Sequence, residues 1–273
     1  MYTKLAETAE YIRSKTTLVP KVGLILGSGL GAFVDTIEDP IIIPYVDIPN
    51  FHDCSVEGHQ GRLILGKIKG TPAAVLQGRI HGYEGFPMDQ LVFPTRLLAT
   101  LGIESLILTN AAGGINLNFK PGDLVSIEDH INLMGKNPLV GPNIPELGPR
   151  FPDMTEAYNI QLREILQAAA KDINYNLHSG VYAAMLGPTY ETPAEVKMAG
   201  IVGADMVGMS TVPESIAANH LGVKVCGISC ITNMAAGIEK GKLCHDDIKY
   251  QALKVMKTFT NLLALAIGNM GKQ

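Results

Sequence analysis

The run Gly27-Ser28-Gly29-Leu30-Gly31 follows directly on the apolar stretch Val22 to Leu26. No other feature constrains the fold as much. A short buried strand that ends in a glycine-rich turn leaves backbone N–H groups bare, because residues without a Cβ permit positive φ and close approach of an anion. Ser28 adds a hydroxyl to that concavity. Gly27, Gly29 and Ala32 also satisfy the permissive form of the dinucleotide-binding fingerprint, which points to a dehydrogenase. That reading needs a long helix and then a second parallel strand ending in an acidic residue roughly 20 positions on. Here only Leu30 to Glu38 separates the turn from Pro40, and the next apolar run, Ile41 to Val46, is interrupted by Pro44 and followed by Pro49. A grip on a small anion fits better than a dinucleotide site.

At 273 residues, with 47% hydrophobic content and a formal net charge of −4, the chain suits one large α/β domain. Mild acidity without a basic cluster argues against nucleic acid as a partner. No window reaches the roughly 18 consecutive apolar residues of a membrane helix, and Met1 to Lys15 reads as an amphipathic polar helix rather than a signal peptide. A cytoplasmic location is expected, with no membrane partner. Cys226 and Cys230 share one apolar run, Cys54 and Cys244 stand alone, and none is spaced as in a zinc or redox site. Buried reduced thiols are expected.

Along the chain, strand-like runs rich in Val, Ile and Leu alternate with helical patterns, which is an α/β arrangement. Strands are expected at 21–27, 62–68, 72–77, 104–109, 123–127, 178–185, 204–208 and 223–231, and helices at 88–101, 156–171, 193–202, 212–221 and 246–268. Thr192-Pro193-Ala194-Glu195 combines an N-cap threonine, proline at the first helical position and glutamate at the third. Thr211-Val212-Pro213-Glu214 repeats the capping-box spacing. The proline- and glycine-rich stretch 135–153 cannot be regular structure and is long enough to be a functional or interface loop.

Polar residues with chemical potential fall at the ends of these strands, where an open α/β sheet places its ligand crevice. Arg79 and His81, two apart on the extended segment after 72–77, face the same way and can reach one anion. The small residues of Thr109-Asn110-Ala111-Ala112-Gly113-Gly114, expected to follow a strand, again leave N–H groups accessible. Ser210 precedes a capped helix, where the helix dipole favours negative charge.

Seven ordered motifs carry a family resemblance: ILGSGLG at 25–31, GHQGRL at 58–63, QGRIHGYEG at 77–85, TNAAGG at 109–114, GPTYETPAE at 187–195, VGMSTVPE at 207–214 and ITN at 231–233. Across nearly its whole length the chain resembles the trimeric, low-molecular-mass purine nucleoside phosphorylases. The resemblance implies a mixed central sheet, partly barrel-like and flanked by helices. It also implies reversible phosphorolysis of a purine nucleoside, with inorganic phosphate as co-substrate and without metal or organic cofactor. By the same resemblance the phosphate site comprises Ser28, His59, Arg79, His81, the N–H of Ala111, and Ser210. The base site comprises Tyr190, Glu191, Val207, Gly208, Met209 and Asn233, and the sugar meets Tyr83, Met209 and His245. His81, Glu191 and Asn233 are the expected catalytic residues. Phe151 matches an aromatic that covers the ribose of the neighbouring subunit, which makes a homotrimer part of the site.

Residue chemistry agrees with those roles. Phosphate, carrying between one and two charges near neutral pH, needs several directed donors to lie in line with the anomeric carbon. Asn233 can donate to purine N7 or accompany the 6-oxo oxygen, and the Glu191 carboxylate can accept from N1–H. This favours 6-oxopurine nucleosides: inosine, guanosine and their deoxy forms. Xanthosine or methylthioadenosine phosphorylases, and a non-catalytic nucleoside or phosphate sensor, remain open alternatives.

Overall fold

The computed structural model describes residues 1–56, 58–239 and 245–272, except for the side chains of 245–250 and 252. Cys244 lies outside the described residues. Nine strands form one mixed sheet in the order β2-β3-β4-β1-β5-β8-β7-β6-β9, and a further pairing of β5 with β9 closes the last five into a barrel. The partly barrel-like sheet expected from the family resemblance is therefore present.

Strand β1 (Val22–Ile25) is buried at every position and lies between two parallel neighbours, β4 (Thr71–Gln77) and β5 (Ser105–Gly114), with Leu24 opposite Val75 and Ile107. A strand covered on both faces reads as a continuous apolar run, as this one does. Strand β3 (Arg62–Ile68) pairs antiparallel with β4 through Lys69-Gly70, whose φ values of 50° and 78° are those of a primed hairpin turn.

Strand β2 (Glu38–Pro44) was not expected from the sequence, because Pro40 and Pro44 argue against a ladder position. It forms because it is an edge strand, hydrogen-bonded only to β3, where a missing N–H can face solvent. A second correction concerns 109–114. This segment is not a loop after a strand but the second half of β5, paired in parallel with β9 (Lys224–Met234) and, at Gly113 and Gly114, with β8 (Met206–Gly208). Closure of the barrel through β6 (Leu124–Asn132) and β7 (His178–Ala184) supplies the pairing that a local reading cannot see.

The helix expected at 88–101 is two helices, α2 (Met88–Leu91) and α3 (Phe93–Leu101), after the N-terminal α1 (Tyr2–Arg13). Pro94 cannot donate to the Gln90 carbonyl, so the helix restarts with proline in its first turn. Helix α4 (Ile160–Asp172) begins later than expected, where the Asn159 side chain caps the Leu162 N–H at 3.2 Å. Both predicted capping boxes are present, on α5 (Pro193–Ile201) and α6 (Val212–His220). The last helix, α7, spans His245–Met270. Among the described residues no helix is long and apolar enough to cross a membrane.

Helices cover both faces. In one layer Leu162 and Leu166 of α4 and Phe259, Leu262, Leu263 and Ile267 of α7 share a core with Leu24 and Val75, and in the other Leu5 of α1, Leu97 of α3 and Ile216 of α6 share a core with Ile25 and Leu76. Fixed between these layers, the strand ends converge on one crevice. Cys226 and Cys230 are buried free thiols and Cys54 is a half-buried one.

Candidate active site

A pocket of about 130 Å³ opens beyond the carboxyl ends of β1, β4, β5 and β9. Of the residues expected in a site, it brings together Ser28, Arg79, His81, Tyr83, Ala111, Tyr190, Glu191, Val207, Gly208, Met209, Ser210 and Asn233. Its first corner is set by the glycine turn after β1. A Cβ on Gly27 would stand 2.7 Å from the Asn110 Cα, and Gly29 has φ of 76°, so only glycine lets the turn lie against β5. Thr109 pins this contact: its hydroxyl accepts from the Gly27 N–H at 3.0 Å and donates to the Ile25 carbonyl at 3.1 Å.

Arg79 is 5% exposed and held from two sides. Its Nε–H donates to Glu214 Oε1 at 2.7 Å and Nη1 donates to the Thr109 carbonyl at 2.7 Å, while Nη2 is buried without a partner. A guanidinium fixed along one edge and bare at its far nitrogen in a pocket is an anion receptor. Glu214, on the first turn of α6, also accepts the Thr211 N–H through Oε2 at 2.6 Å. One buried carboxylate thus caps the helix and orients the arginine.

Between them the backbone is bent. The Val212 N–H donates to the Ser210 carbonyl at 2.7 Å, closing a γ-turn on Thr211, whose φ of 72° and ψ of −49° are rare for a β-branched residue. Such a conformation costs roughly 1–3 kcal/mol and persists where its surroundings over-determine it. Here Asn110 Nδ2 donates to Thr211 Oγ1 at 2.9 Å and Glu214 holds its N–H. The result turns the Ser210 hydroxyl into the pocket wall.

The two histidines play different parts. His59 does not line the pocket but stands behind Ser28. Its Nδ1 accepts from the Arg79 N–H at 3.1 Å, so the proton sits on Nε2, which donates to Ser28 Oγ at 3.0 Å. Burial, then the charges of His81 and Arg79, push the His59 pKa down to about 3, so the ring stays neutral. Ser28 is left with its own O–H to donate into the pocket. His81 Nδ1–H instead donates to Glu84 Oε1 at 3.3 Å, leaving Nε2 free, and its ring stacks on Tyr83 at 4.9 Å and 13°. Burial raises the Glu84 carboxyl, but hydrogen bonds from the His81 ring, the Ser55 hydroxyl and the His81 N–H outweigh it and hold the pKa at about 2.

Across the pocket, Glu191 Oε1 is buried without a partner, and burial raises its pKa against a backbone hydrogen bond. Asn233 accepts from Thr232 Oγ1 and donates one Nδ2 hydrogen to the Met234 carbonyl, both at 3.0 Å, which leaves its second amide hydrogen free. Tyr190, 40% exposed, stands at the rim.

A further expected residue, Phe151, lies outside this pocket. It is 87% exposed on the loop 135–153, under the Arg150 guanidinium at 5.7 Å. His245 begins α7, but its side chain lies outside the described residues. Glu84, Asn110, Glu214 and Thr232 were not expected as site residues. The spacing of Glu214 from Thr211 signalled a helix cap, and Glu84 stands at the same three-residue spacing from His81, so the signal existed but named only half of each role. Among the described residues no group of three or more His, Cys, Asp or Glu could hold a metal ion.

The chain belongs to the phosphorylase superfamily, whose sequence profile matches residues 21–268. Within it, the chain is 51% identical to purine nucleoside phosphorylase 1 of Geobacillus stearothermophilus over 99% of its length and 98% of that protein's. It is 41% identical to the purine nucleoside phosphorylase of Bos taurus, over 97% and 96%. The purine nucleoside phosphorylase of Schistosoma mansoni, solved with inosine and also with adenosine, superposes with a TM-score of 0.93 at 38% identity, covering 97% of this chain and 96% of that one.

Proposed function

We propose that this protein is a 6-oxopurine nucleoside phosphorylase. It catalyses the reversible phosphorolysis of inosine, guanosine and their deoxy forms to free base and (deoxy)ribose 1-phosphate, using inorganic phosphate and no metal or organic cofactor. It works as a cytoplasmic homotrimer in which Phe151 covers the ribose bound by the neighbouring chain. One observation carries the reading: a single pocket joins an oxyanion end, where Arg79 Nη2 is bare beside Ser28, His81 and Ser210, to an end where Glu191 Oε1 and the second Asn233 amide hydrogen await partners.

The chemistry runs between those ends. An oxygen of phosphate attacks C1′ of the sugar as the bond from C1′ to purine N9 breaks. The departing purine takes the electron pair, and the sugar passes through oxocarbenium character, as in glycoside cleavage. Arg79, Ser28 and Ser210 hold the phosphate in line, which replaces a bimolecular encounter by a fixed geometry. With its Nδ1–H turned to Glu84, His81 presents Nε2 to accept a hydrogen bond from a phosphate hydroxyl. Negative charge developing on the purine is met by the Asn233 amide at N7, while Glu191 accepts from N1–H.

A nucleoside panel assayed with and without phosphate tests this. Inosine and guanosine should release base only with phosphate, and adenosine should be cleaved far more slowly, because a carboxylate meets the adenine N1 lone pair unfavourably. Turnover is the readout, since a relative has been solved with both inosine and adenosine. Asn233→Asp should lose inosine activity and gain relative activity on adenosine. Equal wild-type turnover of the two nucleosides, or an unchanged ratio in Asn233→Asp, removes the assignment of base choice; inosine binding without turnover makes the protein a sensor.

A further inference from the structure

A second cavity, of about 230 Å³, lies among α2, α3, the end of α6 and the proline-rich loop. It shares no lining residue with the strand-end pocket. Two of its residues are not explained by the fold. Arg96 of α3 is 5% exposed and His220, the last residue of α6, is 4% exposed. Among the described residues the Arg96 guanidinium has neither an ion pair nor a hydrogen bond, and its Nε is wholly buried without a partner. A guanidinium cannot escape burial by losing its proton, so its charge has to be met by an anion or by water. Asp89 lines the same cavity, but it is exposed and forms no ion pair with Arg96.

His220 completes the pattern. Its Nε2 bonds the Pro149 carbonyl at 3.0 Å. A carbonyl only accepts, so Nε2 carries the proton. Burial lowers the ring's pKa and the Arg96 charge lowers it further, against the pull of the Pro149 and Gly148 carbonyls. The ring therefore stays neutral, and its buried Nδ1 is a bare lone pair without a partner. The cavity offers a permanent cation and a hydrogen-bond acceptor together, with Leu139, Pro142, Ile144 and Leu147 as apolar walls. A carboxylate or sulfate satisfies the cation alone. An oxyanion that also carries an O–H satisfies both.

We propose that this cavity binds a small protonated oxyanion, with negative oxygens on Arg96 and a hydroxyl donated to His220 Nδ1; inorganic hydrogen phosphate is the probe. The site is independent of the proposed reaction, and its test is arranged accordingly. Equilibrium dialysis of the intact protein with radiolabelled phosphate counts the ions bound per chain. Arg96→Met should bind one fewer than wild type, and Arg96→Lys should keep the ion with affinity weakened roughly 10- to 100-fold, the range expected for loss of a charge-assisted hydrogen bond. Sulfate, with no proton for Nδ1, should displace this phosphate poorly. Wild-type stoichiometry in Arg96→Met overturns the proposal whatever the strand-end pocket binds. So does equal competition by sulfate, or a fall in oligomer mass without a change in stoichiometry, which makes Arg96 the seat of a neighbouring chain's carboxylate. Should Arg96→Met fail to fold, wild-type crystals soaked in hydrogen arsenate give the answer: an anomalous peak between Arg96 and His220 supports the site, and its absence refutes it.

Discussion

Glu214→Gln separates two accounts of one buried carboxylate. If Glu214 is only a helix cap, its loss costs about 1 kcal/mol. If it anchors Arg79, the cost is larger, because Arg79 and Glu214 are 5% and 3% exposed and their 2.7 Å ion pair has no solvent to replace it. Two donors, Arg79 Nε–H and Thr211 N–H, converge on its two separate oxygens. Glutamine has one acceptor oxygen, so the other donor meets an amide NH₂ and the guanidinium loses its counter-charge. Breaking one side of a buried ion pair typically costs about 3–5 kcal/mol. At roughly 2–4 °C per kcal/mol for a chain near this size, the melting temperature should fall by roughly 6–20 °C. The same change frees Arg79 to swing off the oxyanion, so the phosphate KM should rise roughly 10- to 100-fold, the worth of a charge-assisted hydrogen bond. The nucleoside KM should change little. Added phosphate, by pairing Arg79, should restore part of the lost melting temperature. Calorimetry across a phosphate series reads the melting temperature and its rescue, and initial rates with phosphate varied at fixed inosine, then inosine at fixed phosphate, read the two KM values; a melting temperature within a few degrees of wild type and an unchanged phosphate KM would refute the anchoring role.

Two further outcomes are expected. Phe151→Ala should raise the nucleoside KM without unfolding the chain, because the ring is exposed and packs on no core. Reassembly with an inactive Glu191 variant should then restore activity above either parent, and no gain would assign Phe151 to its own chain. Because burial raises the Glu191 pKa, the carboxyl gains its proton at a higher pH than an ordinary glutamate does. The neutral acid can donate to adenine N1, whereas the carboxylate cannot, so the ratio of adenosine to inosine kcat/KM should rise as pH falls through this pKa; parallel pH profiles for the two substrates would contradict that reading of the base site.

Much of this protein is local and was legible as sequence. The buried strand before Gly27, the period of α7, and the capping boxes at Thr192 and Thr211 follow from apolar spacing and side-chain hydrogen-bonding capacity, which act within a few residues. Candidate anion donors were also visible, because each sits at a strand end. What local chemistry could not decide was pairing. Strand β2 exists despite two prolines because it occupies an edge, and 109–114 is strand because β9 and β8 lie beside it. The same limit governs the site. Capping spacing marked Glu214 as the partner of its own helix, but only the closure of the sheet carries Arg79, 135 positions away, onto its second oxygen. His59 reads as one more anion ligand until the fold sets Arg79 N–H on one ring nitrogen and Ser28 on the other, making it a neutral support. Residue type and short spacing set what each group can do; which group it does it with depends on contacts between distant segments, and these exist only once the chain has folded.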